Sequence, residues 1–415
     1  MKLLIVADDL TGALDTGVQL AQSGASTTVI TSGRFIAQEL ETLDSDVVVV
    51  DGETRPLSPE EAYRIVYRIT RLVSNQSDVL LYKKTDSALR GNIGSELSAM
   101  LDASGEQTLA FVPAFPQQQR TTVGSIQMLN GKPISHTVFS SDPFNPVANA
   151  SLPEIIAKQS RIRTVSVSRE EYDTLDFSPA QKTIWLFDAS TQEDLETIGR
   201  TLRREGRYRV TGGSAGFAST FSSALGLKGH AQNQSIHGMR LAIICGSINP
   251  ISCEQIDRAQ KAGFLRCNLS ASAILGETFD VSTLVRRILE SSGCRAPLIV
   301  DTCDTDMGEE KRTYAQRHGI DATEMRALIT TRLGLVTRAL CETDPCLLPV
   351  LVGGDTLFGF LRELGSKALT PIRELFPGCV LSLVSWRKSR RLIVSKSGGF
   401  GWNELLLELE RMTKE

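Results

Sequence analysis

The run KKTDSALRGNIGSEL, Lys83 to Leu97, opens with two lysines, an aspartate, two hydroxyls and an arginine where the apolar strand Val79 to Tyr82 ends. Arginine grips a carboxylate through two parallel hydrogen bonds and lysine adds a mobile point charge, so Lys83, Lys84 and Arg90 suit an acid substrate. Thr85 can bind its hydroxyls, and Asp86 can orient or deprotonate one of them. The plainer reading is a solvated loop with a surface pair, such as Asp86 with Arg90 at helical spacing.

Other strand ends carry similar loads. LLIVADDLTGALD presents the adjacent carboxylates Asp8 and Asp9, and VVVVDGETR presents Arg55. A single acid after a strand is often only a helix cap. Two can divide their labour, one accepting a proton from a hydroxyl while the other orients it. Later in the chain, LAIICGSINP, VLVGGDT and LIVSKSGGFG end in glycine and hydroxyl residues. Each alone reads as a turn as readily as a site, because a glycine pair after a strand merely permits positive φ. Three such turns, presenting backbone N–H groups at helix starts, read as one phosphate cradle built on Ser247, Gly353, Gly354, Asp355, Thr356, Gly398 and Gly399. No segment fits GxxxxGK[ST] or a strand-borne GxGxxG, which disfavours P-loop and Rossmann dinucleotide sites. The cluster DTCDTD, Asp301 to Asp306, could hold magnesium, although exposed loop acids are far commoner.

Short Val, Ile and Leu runs alternate with segments of helical period, so the elements that position these residues form mostly parallel sheets flanked by helices. Ser58 to Val73 predicts a helix: Ser58 caps, Pro59 takes the first position, Glu61 closes a capping box, and Ala62, Ile65, Val66, Ile69, Leu72 and Val73 form the apolar stripe. GGSAGFAS, Gly212 to Ser219, reads as another strand-to-helix turn with a packing or hinge role. Gly226 to Met239 loses periodicity and apolar content, as a linker does. The expected organisation is α/β with two domains, 1–228 and 240–415, joined by a linker at 229–239. The polar segment Phe115 to Asn149 is long for a plain connection and predicts a flap or small hairpin.

Bulk properties exclude several classes. The chain has 415 residues, too many for one ordinary core. Its 45 Lys+Arg against 48 Asp+Glu leave a net charge of -3, with no basic stripe for nucleic acid or an anionic membrane. The chain enters a strand at once and meets Asp8 and Asp9, so neither a signal peptide nor a membrane span is expected and the cytoplasm is the expected location. Eight scattered cysteines without a CxxC pair, and four histidines, indicate buried reduced thiols rather than a zinc site or disulfide framework. A homo-oligomer is compatible with all of this.

From ADDLTGALD through KKTDSALRGN, FVPAFP and RTTVG to CGSINP, GGDT and KSGGFG, the chain resembles the four-carbon acid sugar kinase family, and its KKTDSxLRGN form is similar to the D-threonate and D-erythronate kinases. The resemblance implies an N-terminal domain for the sugar acid, a C-terminal domain for ATP, and phosphoryl transfer in the cleft between them. It puts substrate contacts on Asp9, Arg55 and Lys83 to Asp86, and ATP contacts on Ser247, Gly353 to Thr356 and Gly399.

Together these readings predict that Arg55, Lys83 and Lys84 hold the carboxylate and hydroxyls of a four-carbon acid and that Asp9 or Asp86 takes the proton from O4. Magnesium is expected to ride on the ATP phosphates with Asp355 as its protein neighbour, without a dedicated protein metal site. The nearest rival is a kinase of 3-oxo-tetronate or another short aldonate. Rivals from other classes are a non-catalytic two-domain binding protein and a nicotinamide-dependent oxidoreductase.

Overall fold

The computed structural model describes residues 1–31, 40, 43–142, 145–178, 181–226, 234–292, 296–303 and 308–414. The chain divides into two compact units, Met1–Ala231 and Gln232–Glu415.

In the first unit the strands run, in spatial order, Thr27–Ile30, Val47–Asp51, Leu3–Ala7, Leu80–Lys84, Val210–Gly213, Thr108–Val112, Thr183–Phe187 and Arg163–Val167, each parallel to its neighbour. The central strands are buried along their whole length, as parallel strands covered on both faces must be. Register matters most for function. Ala7 pairs with Asp51 and with Lys84, and Gly213 pairs with Lys84 and Val112, so the loops that follow these strands start from one row. Such a row of carboxyl ends is where open α/β sheets bind ligands.

The helices hold that row in place. Leu10–Gln22 begins at Asp9, whose carboxylate accepts from the Gly12 amide, and buries Leu10, Ala13, Leu14 and Val18. Pro59–Arg71 has the expected capping box of Ser58 and Glu61. It stops at Arg71, however, and Leu72 turns outward to 39% exposure, leaving the predicted stripe. Ile93–Ser104 is buried almost all round and packs into the core with Val66, Leu81 and Phe111.

The segment after Phe115 is a small antiparallel sheet, Arg120–Val123, Ile126–Leu129 and Lys132–Pro133. The Gly212 to Ser219 run is a strand end followed by a short helix capped by Ser214. Packing explains its glycine, since a Cβ on Gly213 would collide with the Val112 carbonyl.

The second unit orders its strands Leu265–Asn268, Leu298–Asp301, Arg240–Cys245, Leu347–Val352 and Ser389–Lys396 in parallel, then adds Cys379–Trp386 and Ala368–Phe376 as an antiparallel meander. Cys245 pairs with Asp301 and Val352, and Val352 with Lys396, which again aligns the carboxyl ends. The expected linker at 229–239 lies partly outside the described residues. Its far end is not free chain: Ile236 is buried in the second core, and the Gly238 amide donates to the Thr413 carbonyl. No helix among the described residues is long and apolar enough to cross a membrane.

Candidate functional site

Arg55 ties the first two strand ends together. Its Nε donates to Asp8 at 2.8 Å and its Nη1 lies 2.7 Å from Asp9. The backbone prepares this contact, because the Thr54 and Arg55 amides both donate to the Asp8 carbonyl. Burial pushes the Asp8 carboxyl up, but Arg55, Lys84 and Lys83 outweigh it and hold the group below the ordinary carboxylate range. Asp51, beside them, goes the other way: burial, with Asp9, Glu53 and Asp8 nearby, raises its pKa well above that range against one bond from the Glu53 amide. Arg55 was expected to grip the substrate carboxylate. Instead two of its edges are committed to protein carboxylates, so its observed work is to position Asp8 and Asp9.

The strand expected to end at Tyr82 continues through Lys84, and this sends the two lysines to opposite faces. Lys83 is fully buried. Its ammonium lies 3.0 Å from Glu96 and donates to the carbonyls of Val6 and Lys84, so its polar contacts all lie inside the fold. A direct substrate contact by Lys83 is at odds with this geometry.

Lys84 behaves differently. Although 6% exposed, its ammonium has no hydrogen bond or ion pair with a described residue. It stands over the start of the helix Leu10–Gln22, where a Cβ on Gly12 would lie 2.6 Å from both the Lys84 Nζ and the Asp9 Oδ1. A carboxylate, a cation and a helix N-terminus therefore converge at one point.

The following loop turns tightly, with Leu89 at φ 62 and Gly91 at φ 89. Thr85 is buried and donates through its amide and hydroxyl to the Gly213 carbonyl. Asp86 accepts from Arg90 Nε at 2.6 Å and Nη2 at 3.3 Å, while Arg90 Nη1 reaches Asp142 at 3.0 Å. Burial raises the Asp86 carboxyl, but Arg90 and then Arg55 pull it far below the ordinary range. So the Asp86–Arg90 pair forms, at a turn rather than along a helix, and leaves Asp86 a weak proton acceptor.

The small sheet docks on this loop through residues that the loop's own sequence did not reveal. Gln127 donates to the Ser87 carbonyl at 2.8 Å and accepts from Thr122 at 2.8 Å. Arg120 donates to the Ser87 hydroxyl. The one available signal was the RTTVG motif inside an overlong polar connection. Glu96, in turn, was hidden because it sits on a helix face that looks merely amphipathic.

In the second unit the three glycine turns do meet. The Gly246 amide donates to Thr356 Oγ1 at 3.1 Å, a Cβ on Gly353 would lie 3.8 Å from Ser247 Cβ, and one on Gly398 would lie 3.1 Å from Ser247 Oγ. Gly353 adopts φ 93 immediately before the helix Gly354–Leu364. Gly399 faces the Asn249 side chain, whose oxygen caps the helix Pro250–Lys261. Adjacent parallel strands make this convergence unavoidable. Close-packed backbone N–H groups and two helix starts form a cradle that bulkier residues would fill.

Two acids expected near magnesium are otherwise engaged. Asp355 is held in a fork by Arg326, at 2.7 and 2.6 Å. Asp301 is buried and receives bonds from Arg266 and Asn268, while Asp304 and Asp306 lie outside the described residues. No group of three or more His, Cys, Asp or Glu among the described residues is disposed to hold a metal. Cys245, Cys303, Cys341 and Cys379 are buried, whereas Cys346 is exposed, contrary to the default expectation. Lys396, buried at the end of its strand, has its pKa lowered to about 8 by that burial.

Residues 3–221 match the model of a sugar-binding N-terminal domain, and residues 242–406 that of a nucleotide-binding C-terminal domain. The chain belongs to the four-carbon acid sugar kinase family. Within this kinase family it is 26% identical to a D-threonate kinase of Salmonella typhimurium, over 98% of this chain and 97% of that one. It is 32% identical to a D-erythronate kinase of Heliobacterium modesticaldum over 63% of this chain and 61% of the relative, and 25% identical to a 3-oxo-tetronate kinase of Brucella melitensis over 100% and 96%. A crystal structure of a Haemophilus influenzae protein shares the fold, with a TM-score of 0.74 at 18% identity over 99% and 100% of the two chains. The Asp9–Lys84 site thus lies in the kinase family's sugar-binding domain, and the glycine cradle in its nucleotide-binding domain.

Proposed function

We propose that this protein is an ATP-dependent kinase that phosphorylates the O4 hydroxyl of D-threonate or D-erythronate. The observation that carries the reading is the meeting of Asp9, the unpaired Lys84 ammonium and the N-terminus of the helix Leu10–Gln22 around Gly12. Phosphoryl transfer asks for a positioned hydroxyl, a base, and positive or N–H groups where charge develops. The base and the positive and N–H groups meet there.

Asp9 is the better base. Its side chain is 30% exposed against 10% for Asp86, and Asp86 is bound in a fork that strips it of basicity. Asp9, oriented by Arg55 and the Gly12 amide, accepts the O4 proton as that oxygen attacks the γ-phosphorus. The O4–P bond forms, the bond to the β,γ-bridging oxygen breaks, and ADP leaves with its electron pair. Lys84 and the helix N-terminus offset negative charge at the reacting hydroxyl. Ser247, Gly353 to Thr356 and Gly398 to Gly399 cradle the ATP phosphates. A magnesium ion carried on those phosphates would supply charge neutralisation there.

The test is ADP formation from ATP across the stereoisomers of threonate and erythronate and with 3-oxo-tetronate, followed by phosphorus-coupled proton NMR of the product. Phosphate on C4 of one D-acid is expected. Phosphate on O2 or O3, or no ADP with any four-carbon acid, would overturn the proposal.

A further inference from the structure

Three arginines surround the loop Thr85–Arg90, and their partners differ. Arg55 is spent on Asp8 and Asp9, and Arg90 on Asp86 and Asp142. Arg120 has no carboxylate within ion-pairing distance among the described residues. The one hydrogen bond of its guanidinium to a described residue runs from Nη1 to the Ser87 hydroxyl, and its Nε is buried without a partner.

This guanidinium is nevertheless held firmly. The Arg120 amide donates to the Phe115 carbonyl and its carbonyl accepts from the Phe115 amide, while the strand pairs Arg120 with Leu129. Its plane lies over the Phe139 ring at 5.4 Å, and Arg90 lies over the same ring at 5.2 Å. Two cations on one aromatic ring repel each other, and Asp86 balances only one of them at contact distance. Burial pulls the Arg120 pKa below its ordinary value; Asp86 and Asp15 oppose this, and Arg90 adds to it. Such a preorganised fork with an unmet buried donor is short of one anion.

We propose that Arg120, with the Ser87 hydroxyl beside it, is the receptor for the carboxylate of the sugar acid, and that it sets the preference for acids over neutral polyols. The inference rests on the reading of the first unit as the acid-binding unit. Asp9 and Lys84 then take the hydroxyl end of the substrate, and Arg120 takes the opposite end across the same loop. A four-carbon chain fixed at its carboxylate offers the far hydroxyl to Asp9, so position is selected by distance. The small sheet therefore acts as part of the binding site, delivering a guanidinium that, unlike Arg55 and Arg90, is not spent on a protein carboxylate.

The decisive comparison is between Arg120→Gln, Arg120→Lys and the parent, each as the full chain. Titration calorimetry with D-threonate and D-erythronate, without nucleotide, reads binding independently of turnover. Arg120→Gln is expected to weaken acid binding about tenfold to a hundredfold, as loss of a charge-assisted pair implies, with Arg120→Lys in between. The ATP KM and the melting temperature should barely move. A second readout is the ratio of kcat/KM for the acid to that for the matching alditol, which should collapse in Arg120→Gln because only the acid uses the guanidinium.

Unchanged acid affinity in a folded Arg120→Gln, or equal weakening of acid and alditol, overturns the proposal. So does a parent protein that binds neither acid. If the acids bind through Arg120 but no ADP forms, the carboxylate receptor stands and the kinase reading falls.

Discussion

Arg90 closes on Asp86 as a two-pronged fork, Nε to Oδ2 at 2.6 Å and Nη2 to Oδ1 at 3.3 Å, and thereby removes the basicity that a proton acceptor needs. Asp86 is then a builder of the loop, and Asp9 is left as the reachable carboxylate. Asp9→Asn should lower kcat by about two to four orders of magnitude, the usual value of a general base, with ATP KM little changed. Asp86→Asn should act chiefly on the acid KM and on stability. Steady-state kinetics on both variants decide; a larger kcat loss in Asp86→Asn reverses the assignment.

The same pair fixes a pH dependence. Arg90 and Arg55 outweigh burial, so the folded-state pKa of Asp86 lies below the unfolded value of about 3.9. Its stabilisation is then complete above that value and is lost as pH falls through the folded pKa. The gap in melting temperature between the parent and Asp86→Asn should be widest near neutrality and should shrink towards pH 3. A gap that stays constant across that range would falsify the sign.

Lys83 and Glu96 lie 3.0 Å apart with both side chains fully buried. Removing one partner strands the other, at about 3–5 kcal/mol, whereas replacing both by apolar residues of similar volume is often neutral. Lys83→Met should therefore unfold at lower urea than Lys83→Met with Glu96→Leu. The double variant should keep a near-parental acid KM if Lys83 is structural. Loss of acid binding in a stable double variant would restore Lys83 as a substrate contact.

What could be read without coordinates was the set of strand ends and the chemistry gathered there. Apolar runs locate buried parallel strands, and Ser58 with Glu61 marks a helix start, because both signals are local. Pairing is not local. Arg55 meets Asp8 across 47 residues, and Arg120 meets Ser87 across 33, so a count of charges on a loop overstates how many remain for a ligand. Lys83 illustrates a second limit: extending the strand by two residues turns one lysine inward, since side chains alternate faces. The glycine turns fared better. Three successive neighbours in a parallel sheet must release their loops at one edge, and order alone brings Ser247, Gly353 and Gly398 together.

That convergence gives the last prediction. Gly353 sits at φ 93, in the left-handed region that other residues adopt only with strain, and Gly398 offers a Cβ only 3.1 Å from Ser247 Oγ. Both substitutions to alanine should push side-chain atoms or backbone into the space where phosphate would meet N–H groups. Gly353→Ala and Gly398→Ala are each expected to raise the ATP KM about tenfold or more, since a buried charge-assisted contact is worth roughly 1.5–3 kcal/mol. The acid affinity by calorimetry should remain parental, because the proposed carboxylate and hydroxyl contacts lie in the other unit. Far-ultraviolet circular dichroism confirms that each variant is folded. Equal losses for ATP and acid in a folded variant would mean that the turns set domain structure rather than hold phosphate, and the nucleotide cradle would have to be sought elsewhere.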